Sequence, residues 1–422
     1  RTDGFEENAD LEARSVFARA GWEKGLFKTS ASFGIEDGDF GFFRFPSLDI
    51  RIDGSRLFRW GRANVAVETE AVDLRMYGAF STIETTAEHT WISTGKTMTT
   101  ATAYDHTGAA GFTAVFPFVE LHTVTAGSDF HWAWLKNVTV ADEQHPVKHG
   151  HYLNYTLSLD RFDVNAGIRA DYSSAYGSAF SPGAGVIWKV RKELPSRLSF
   201  RISRAFNAPP LNFRFARDTG MPFTLKPNTD LSAEHSLNAA LGYAHTFTSH
   251  VDAYADLYHH WVRDLVRVTL DQATNRFEAE NLGRARRRGL ETGVGIRIPP
   301  NPDWRIHAGI SYNDMRDTNA QEQIQTTDAV VLSVIWGAVY RKEDGSRTFD
   351  LRAQYKRWNA PGDSEERGVI LDAEIRQRVY RDVSRELHCF LTLKNILDEE
   401  QYPLEVYKNP ERYFEGGVTL AF

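Results

Sequence analysis

The stretch DEQHPVKHGH brings Asp142, Glu143, His145, His149 and His151 close together along the chain. Imidazoles and carboxylates at such spacing can ligate a transition metal, so this is the first candidate metal or substrate site. The competing reading is a solvated polar loop, since loops collect these residue types anyway. A second stretch, residues 206–232, holds Asn207, Phe213, Arg214, Phe215, Arg217 and Asp218. Rings mixed with guanidinium groups can grip a large anionic or ring-bearing ligand. Packing of one loop on another is the plainer alternative. A third group, Asp252, Tyr254, Asp256 and Tyr258, alternates with small and apolar residues. It therefore shares one face of a strand, where it can line a polar path or form a structural hydrogen-bond ladder. His259-His260 beside Trp261 is a weaker candidate pair.

Nothing in the chain points to catalysis. There is no HExxH zinc helix, no GxSxG elbow and no phosphate-cradling glycine loop on a strand-to-helix turn. Carboxylates abound without a pair that stands apart. No cofactor is implied.

Composition narrows the class. Of 422 residues, 42% are apolar and 25% charged, which is not the profile of a disordered chain. Aromatics reach 13%, a residue class that favours strands and boundaries between dry and wet surroundings. The net charge is −7, and the longest arginine run, Arg286-Arg287-Arg288, is short and sits inside a strand pattern. Nucleic acid is not an expected partner. The single cysteine, Cys389, forbids an intrachain disulfide and reads as a small buried or lipid-facing residue among leucines.

The elements that must carry these residues are strands. TFDLRAQYK sets Phe349, Leu351, Ala353 and Tyr355 against Asp350, Arg352, Gln354 and Lys356. RLSFRIS, VDAYADLY and WRIHAGIS alternate in the same way. This is period two, and no convincing amphipathic helix exceeds two turns. No apolar run approaches the roughly 18–20 residues of a spanning helix. A helical membrane protein is excluded, whereas a membrane barrel hides half of each strand from lipid and keeps its average hydropathy low. Connections alternate between short ones and longer ones, the longer near 137–150, 206–232, 314–328, 359–366 and 398–412. Hairpins of that kind describe an outer-membrane barrel. About thirteen strands follow from about His151, and the less regular first 150 residues suggest about nine more, at ordinary strand lengths.

The closing segment LTLKNILDEEQYPLEVYKNPERYFEGGVTLAF resembles the end of a TonB-dependent outer-membrane receptor. Further family-like pieces follow in order: HTVTAGSDF, FDVNAGIRADY, FSPGAGVIW, SRAFNAPPL, LSAEHSLNAALGYAH and ENLGRARRRGLETG. They cover roughly residues 120–422. The resemblance implies an all-β fold: a transmembrane antiparallel up-and-down barrel of about twenty-two strands, in the bacterial outer membrane. It implies a receptor for active uptake of a scarce nutrient, of cobalamin or ferric siderophore type. The compact loops favour cobalamin or a small siderophore. The implied partners are outer-membrane lipid, a plug domain, the TonB energy-transducing complex and a small-molecule substrate such as a metal chelate. A monomer is expected. The chain lacks a signal peptide, and Arg1-Thr2-Asp3-Gly4 reads like a cut inside a longer chain, so the expectation is the barrel alone, a single domain over residues 1–422, without its plug.

In such a family the loop at His145, His149 and His151 and the loop at Asn207, Phe213, Arg214 and Arg217 lie outside the cell, where substrate is captured. Asp252, Tyr254, Asp256 and Tyr258 would contact the plug or the substrate path. The last strand, with Gly416, Val418, Leu420 and Phe422 on one face, would be the assembly signal, and would pair with Leu11 to Trp22 to close the barrel. A passive porin and a soluble all-β binding or adhesion protein remain the alternatives.

Overall fold

The computed structural model describes residues 11–45, 50–136, 142–191, 195–218, 224–271, 273–281, 283–318, 330–359, 365–382, 385–400 and 411–421. The first strands are β1 (Leu11–Lys24), β2 (Phe27–Phe45), β3 (Ile50–Glu68), β4 (Asp73–Trp91), β5 (Thr97–Val119) and β6 (His122–Lys136). Next come β7 (Val147–Ser158), β8 (Phe162–Ser173), β9 (Gly177–Arg191), β10 (Ser196–Asn207), the short helix α1 (Leu211–Phe215) and β11 (Leu225–Lys226). Then follow β12 (Glu234–Thr248), β13 (Val251–Arg263), β14 (Val266–Asp271), β15 (Arg276–Asn281) and β16 (Arg284–Arg297). The chain ends with β17 (Trp304–Asp317), β18 (Val330–Arg341), β19 (Arg347–Asn359), β20 (Glu365–Arg381), β21 (Glu386–Lys394) and β22 (Tyr413–Ala421).

Nineteen of these strands form one large sheet, and β11, β14 and β15 form a small second one. The large sheet is a meander in which each strand pairs antiparallel with the next, apart from the three that leave it. The thirteen staves expected from about His151 onward are β7–β10, β12, β13 and β16–β22. The first part departs from expectation. It holds six strands before residue 137 rather than about nine, because β2, β3 and β4 run 19 residues each and β5 runs 23. A spanning strand needs only about 9–11 residues, so these project well beyond a bilayer. Their inward and outward faces mix Gly, Ala and Thr, which blurs the alternation that marks a strand's limits.

The expected pairing of β22 with Leu11–Trp22 is absent among the described residues. β22 pairs with β21 and β1 with β2. The reason is parity: an odd number of staves leaves β1 and β22 running in the same direction, so no antiparallel seam can form between them. Phe422 lies outside the described residues.

The molecule is apolar outside and polar within. Large side chains on the outward face stand free, among them Leu257 at 52% and Val418 at 64% exposure. Their neighbours on the same strands point to the opposite face, the lumen, and are polar. This inversion is what period two produces when one side of the sheet meets lipid and the other water. Rings cluster outward near the short turns, as in Phe162 on Trp188 at 6.2 Å and Trp304 on Tyr340 at 5.1 Å. They mark one membrane interface.

Candidate functional site

The lumen wall is built by inward residues of neighbouring strands. On β13 these are Asp252, Tyr254, Asp256 and Tyr258, as the alternation required. Asp252 takes two hydrogen bonds from Arg305 Nη2 of β17, at 2.8 and 3.0 Å. Tyr258 donates to Asn313 Oδ1 at 3.3 Å, and Arg287 Nε donates to the same oxygen at 2.9 Å while its guanidinium lies 5.7 Å from the Tyr258 ring. Room for these side chains comes from glycine. A Cβ at Gly289 would meet the Tyr258 hydroxyl, and one at Gly293 would lie 2.7 Å from the Tyr254 ring. The GLETG segment of β16 is thus small on its inward face so that β13 can be large on its own. That signal was legible in the spacing of the glycines and was not read from sequence.

Asp252, Tyr254 and Asp256 line a cavity of about 960 Å³ together with Lys189, Arg197 and Arg201. Acidic groups of β13 and basic groups of β9 and β10 thus face one space. A second ladder crosses β6 to β8. Arg169 pairs with Asp129 at 2.7 Å and Asp171 at 2.8 Å, and lies 5.8 Å from the Tyr152 ring. Charges paired across strands inside a wide barrel can hold a polar solute or a folded domain by many weak contacts. They offer no isolated nucleophile or acid–base pair.

The histidine stretch is divided by the structure. Val147 opens β7, so His149 and His151 are strand residues and not loop residues. Their register with Phe130, Tyr172 and Ala170 puts them on the outward face, where the His149 ring lies 5.1 Å from that of Tyr172. Glu143 instead turns to Lys136 at 3.0 Å and accepts from Trp134 Nε1 at 3.3 Å. Those two contacts, the Lys136 bond first, hold its carboxyl below the usual range. Asp142 and His145 belong to the intervening connection. Among the described residues no group of three or more His, Cys, Asp or Glu side chains is placed to hold a metal ion. The reason is geometric: consecutive odd positions on a strand share a face but splay along it, while the acidic pair lies in the hairpin above.

The described residues of the 206–232 stretch are packed. Arg214 donates to the carbonyls of Ala175 and of Thr229, the latter at 2.6 Å, and lies 5.1 Å from the Tyr176 ring. Tyr176 in turn donates to the Pro209 carbonyl at 2.5 Å. Asn207 donates to Glu234 at 2.8 Å and Asp218 pairs with Arg276 at 2.7 Å. Phe213 takes part through its backbone, which accepts from Asn228 N at 2.9 Å. Arg217 remains exposed. The closing motif Lys394-Asn395 is a further structural device. Asn395, with φ 48°, is buried, and its side chain bonds both backbone groups of Glu399 while Lys394 pairs with Asp372 at 3.0 Å.

Sequence comparison decides the family. A profile described as "TonB dependent receptor-like, beta-barrel" matches residues 3–380. The chain belongs to the TonB-dependent receptor family. It is a barrel of the bacterial outer membrane. Solved TonB-dependent receptors share its fold. A mutant ferric enterobactin receptor from Pseudomonas aeruginosa superposes with a TM-score of 0.76 at 12% identity, covering 99% of this chain and 72% of that one. The siderophore receptor PirA from Acinetobacter baumannii gives 0.74 at 15% identity, covering 97% and 70%. The copper transporter OprC gives 0.76 at 13% identity, covering 98% and 73%. No curated protein matches the sequence. Family and neighbours are receptors and transporters.

Proposed function

We propose that this barrel serves a receptor for active uptake of a small metal chelate of the ferric siderophore type, with cobalamin as the second substrate class. The observation that carries the reading is the lumen wall, where Asp252 and Asp256 face Arg197 and Arg201 across one cavity. A lumen this wide leaks if left empty, and its charged ladders fit a plug domain of the same receptor with TonB supplying the energy. The receptor and copper-transporter names of the structural neighbours favour a metal-bearing cargo. Capture begins at the outer loops, where Arg217 is exposed and Asn207, Phe213 and Arg214 hold the loop in shape. His145 sits in the β6–β7 connection, on the same side of the barrel. Gly416, Val418 and Leu420 share the outward face of β22, and with Phe422 they serve as the assembly signal.

The test is binding of fluorescent ferric siderophores and of cobalamin to the intact receptor, followed by uptake in cells with and without TonB. TonB-dependent uptake of a chelate supports the reading. Uptake that continues at full rate without TonB marks a passive pore and overturns it.

A further inference from the structure

One compact group of four charged side chains points out of the barrel rather than into it. Register places Arg286 and Arg288 of β16 beside Arg316 and Asp314 of β17, all on the lipid-facing side with Leu290 and Tyr312. Asp314 is 2% exposed, between Arg288 and Arg316 at 3.0 Å each. Two guanidinium groups thus hold one carboxylate, with a third, Arg286, on the same face. Arg286 makes no ion pair among the described residues, and its Nε has no hydrogen-bond partner. His259 and Trp261 of β13 border the group, opposite Arg288 and Arg286. This is the arginine run that the sequence presented as a short basic block inside a strand.

Directly below lies an outward apolar groove of about 430 Å³, lined by Phe200, Ala239, Leu241, Leu257, Leu290 and Tyr312, with His259 and Arg288 at its upper rim. The volume is within the ~300–1,000 Å³ of ligand pockets. It exists because Ala239 is small between larger neighbours. The level of the cluster follows from strand geometry. Arg316 is twelve residues beyond the interfacial Trp304 of the same strand. At about 3.3 Å per residue and a tilt near 40°, that is about 30 Å along the membrane normal, just past an apolar band about 25 Å tall. The arginines sit at headgroup height on the long-loop, outer side, and the groove sits among the acyl chains.

We infer that the outward face of β10, β12, β13, β16 and β17 holds one phosphate-bearing lipid of the outer leaflet. Its acyl chain fills the groove and its phosphate meets Arg286, Arg288 and Arg316. The groove selects this occupant: it opens inside the apolar band, where a soluble anion or a soluble protein does not reach. The inference rests on the outer-membrane location and not on the transported cargo.

Delipidated barrel in non-ionic detergent, titrated with bisphosphorylated lipid A and followed by native mass spectrometry, provides the test. One tightly retained lipid per chain is expected, with weaker retention of the phosphate-free lipid. Arg286→Gln, which leaves the Asp314 pairs in place, weakens binding about fivefold, the worth of one cation near a headgroup. Ala239→Phe fills the groove without changing charge and also weakens binding. Heat-shifted electrophoretic mobility verifies that both variants are folded. Equal retention of phosphate-free lipid, or indifference to both substitutions, overturns the proposal. Full competition by inorganic phosphate overturns it too, since it leaves an anion site without a lipid.

Discussion

Asp314 shows how much depends on one side chain in a wall one residue thick. Its carboxylate separates two cations that would otherwise repel at the membrane surface. Asp314→Ala removes that separation, and because Arg288 and Arg316 are half exposed the loss is about 1–2 kcal/mol rather than the larger cost of a fully buried pair. The midpoint of heat-induced mobility shift should fall accordingly. Asp344 is a simpler case, in the short turn between β18 and β19. Hydrogen bonds from Ser346, including its N–H at 2.8 Å, and Lys342 at 3.2 Å hold its carboxyl below the ordinary value. A depressed carboxylate contributes stability above its unfolded pKa and loses it as pH falls through the folded one. Exchange of the Ser346 amide, corrected for its intrinsic pH dependence, should therefore stay slow from neutrality to about pH 4 and quicken only below it. Asp344→Asn should quicken it at every pH. At the histidine stretch the expected outcome is negative: calorimetric titration with zinc or copper should show no binding at DEQHPVKHGH, because His149 and His151 face outward while Glu143 is engaged with Lys136.

At the scale of elements, the faces of the strands were readable and their limits were not. Period two assigned Asp252, Tyr254, Asp256 and Tyr258 to one face, and that face is the lumen. The same rule applied to VKHGHY would have placed His149 and His151 on a strand, but the surrounding polar residues made the stretch look like loop. The loop 206–232 gave no period at all. Its order comes from contacts distant in sequence, such as Arg214 with Ala175 and Asn228 with Ala279. Arg214→Ala should remove about 1.4 kcal/mol of local stability, opening the loop about tenfold more often. Limited proteolysis within 206–232 should speed up by that factor while cleavage elsewhere is unchanged.

For the whole molecule, the wet lumen is the controlling feature. Paired charges line it, as Asp252 with Arg305 and Asp129 with Arg169. The chain by itself, inserted in a planar bilayer, should conduct ions, and neutralising Asp252 and Asp256 together should shift its preference toward anions. An electrically silent chain would show that the wall collapses inward. Val418→Asp on the lipid-facing side of β22 should impair insertion, by about 2 kcal/mol if it sits near the midplane, as read by the heat-modifiable fraction.

The amino-acid sequence by itself determined the all-β class, the lipid and lumen faces of most strands, and the family. Alternation is local, so a single strand displays it. Only the tertiary structure decided that nineteen of the described strands make the wall and three a satellite, that β1 and β22 run in the same direction, and that the histidine stretch scatters. It alone revealed that the run Arg286-Arg287-Arg288 splits, Arg287 to the lumen and its neighbours to the membrane. Each of these depends on register between strands far apart in the chain, and a shift of one residue exchanges every inward side chain for an outward one.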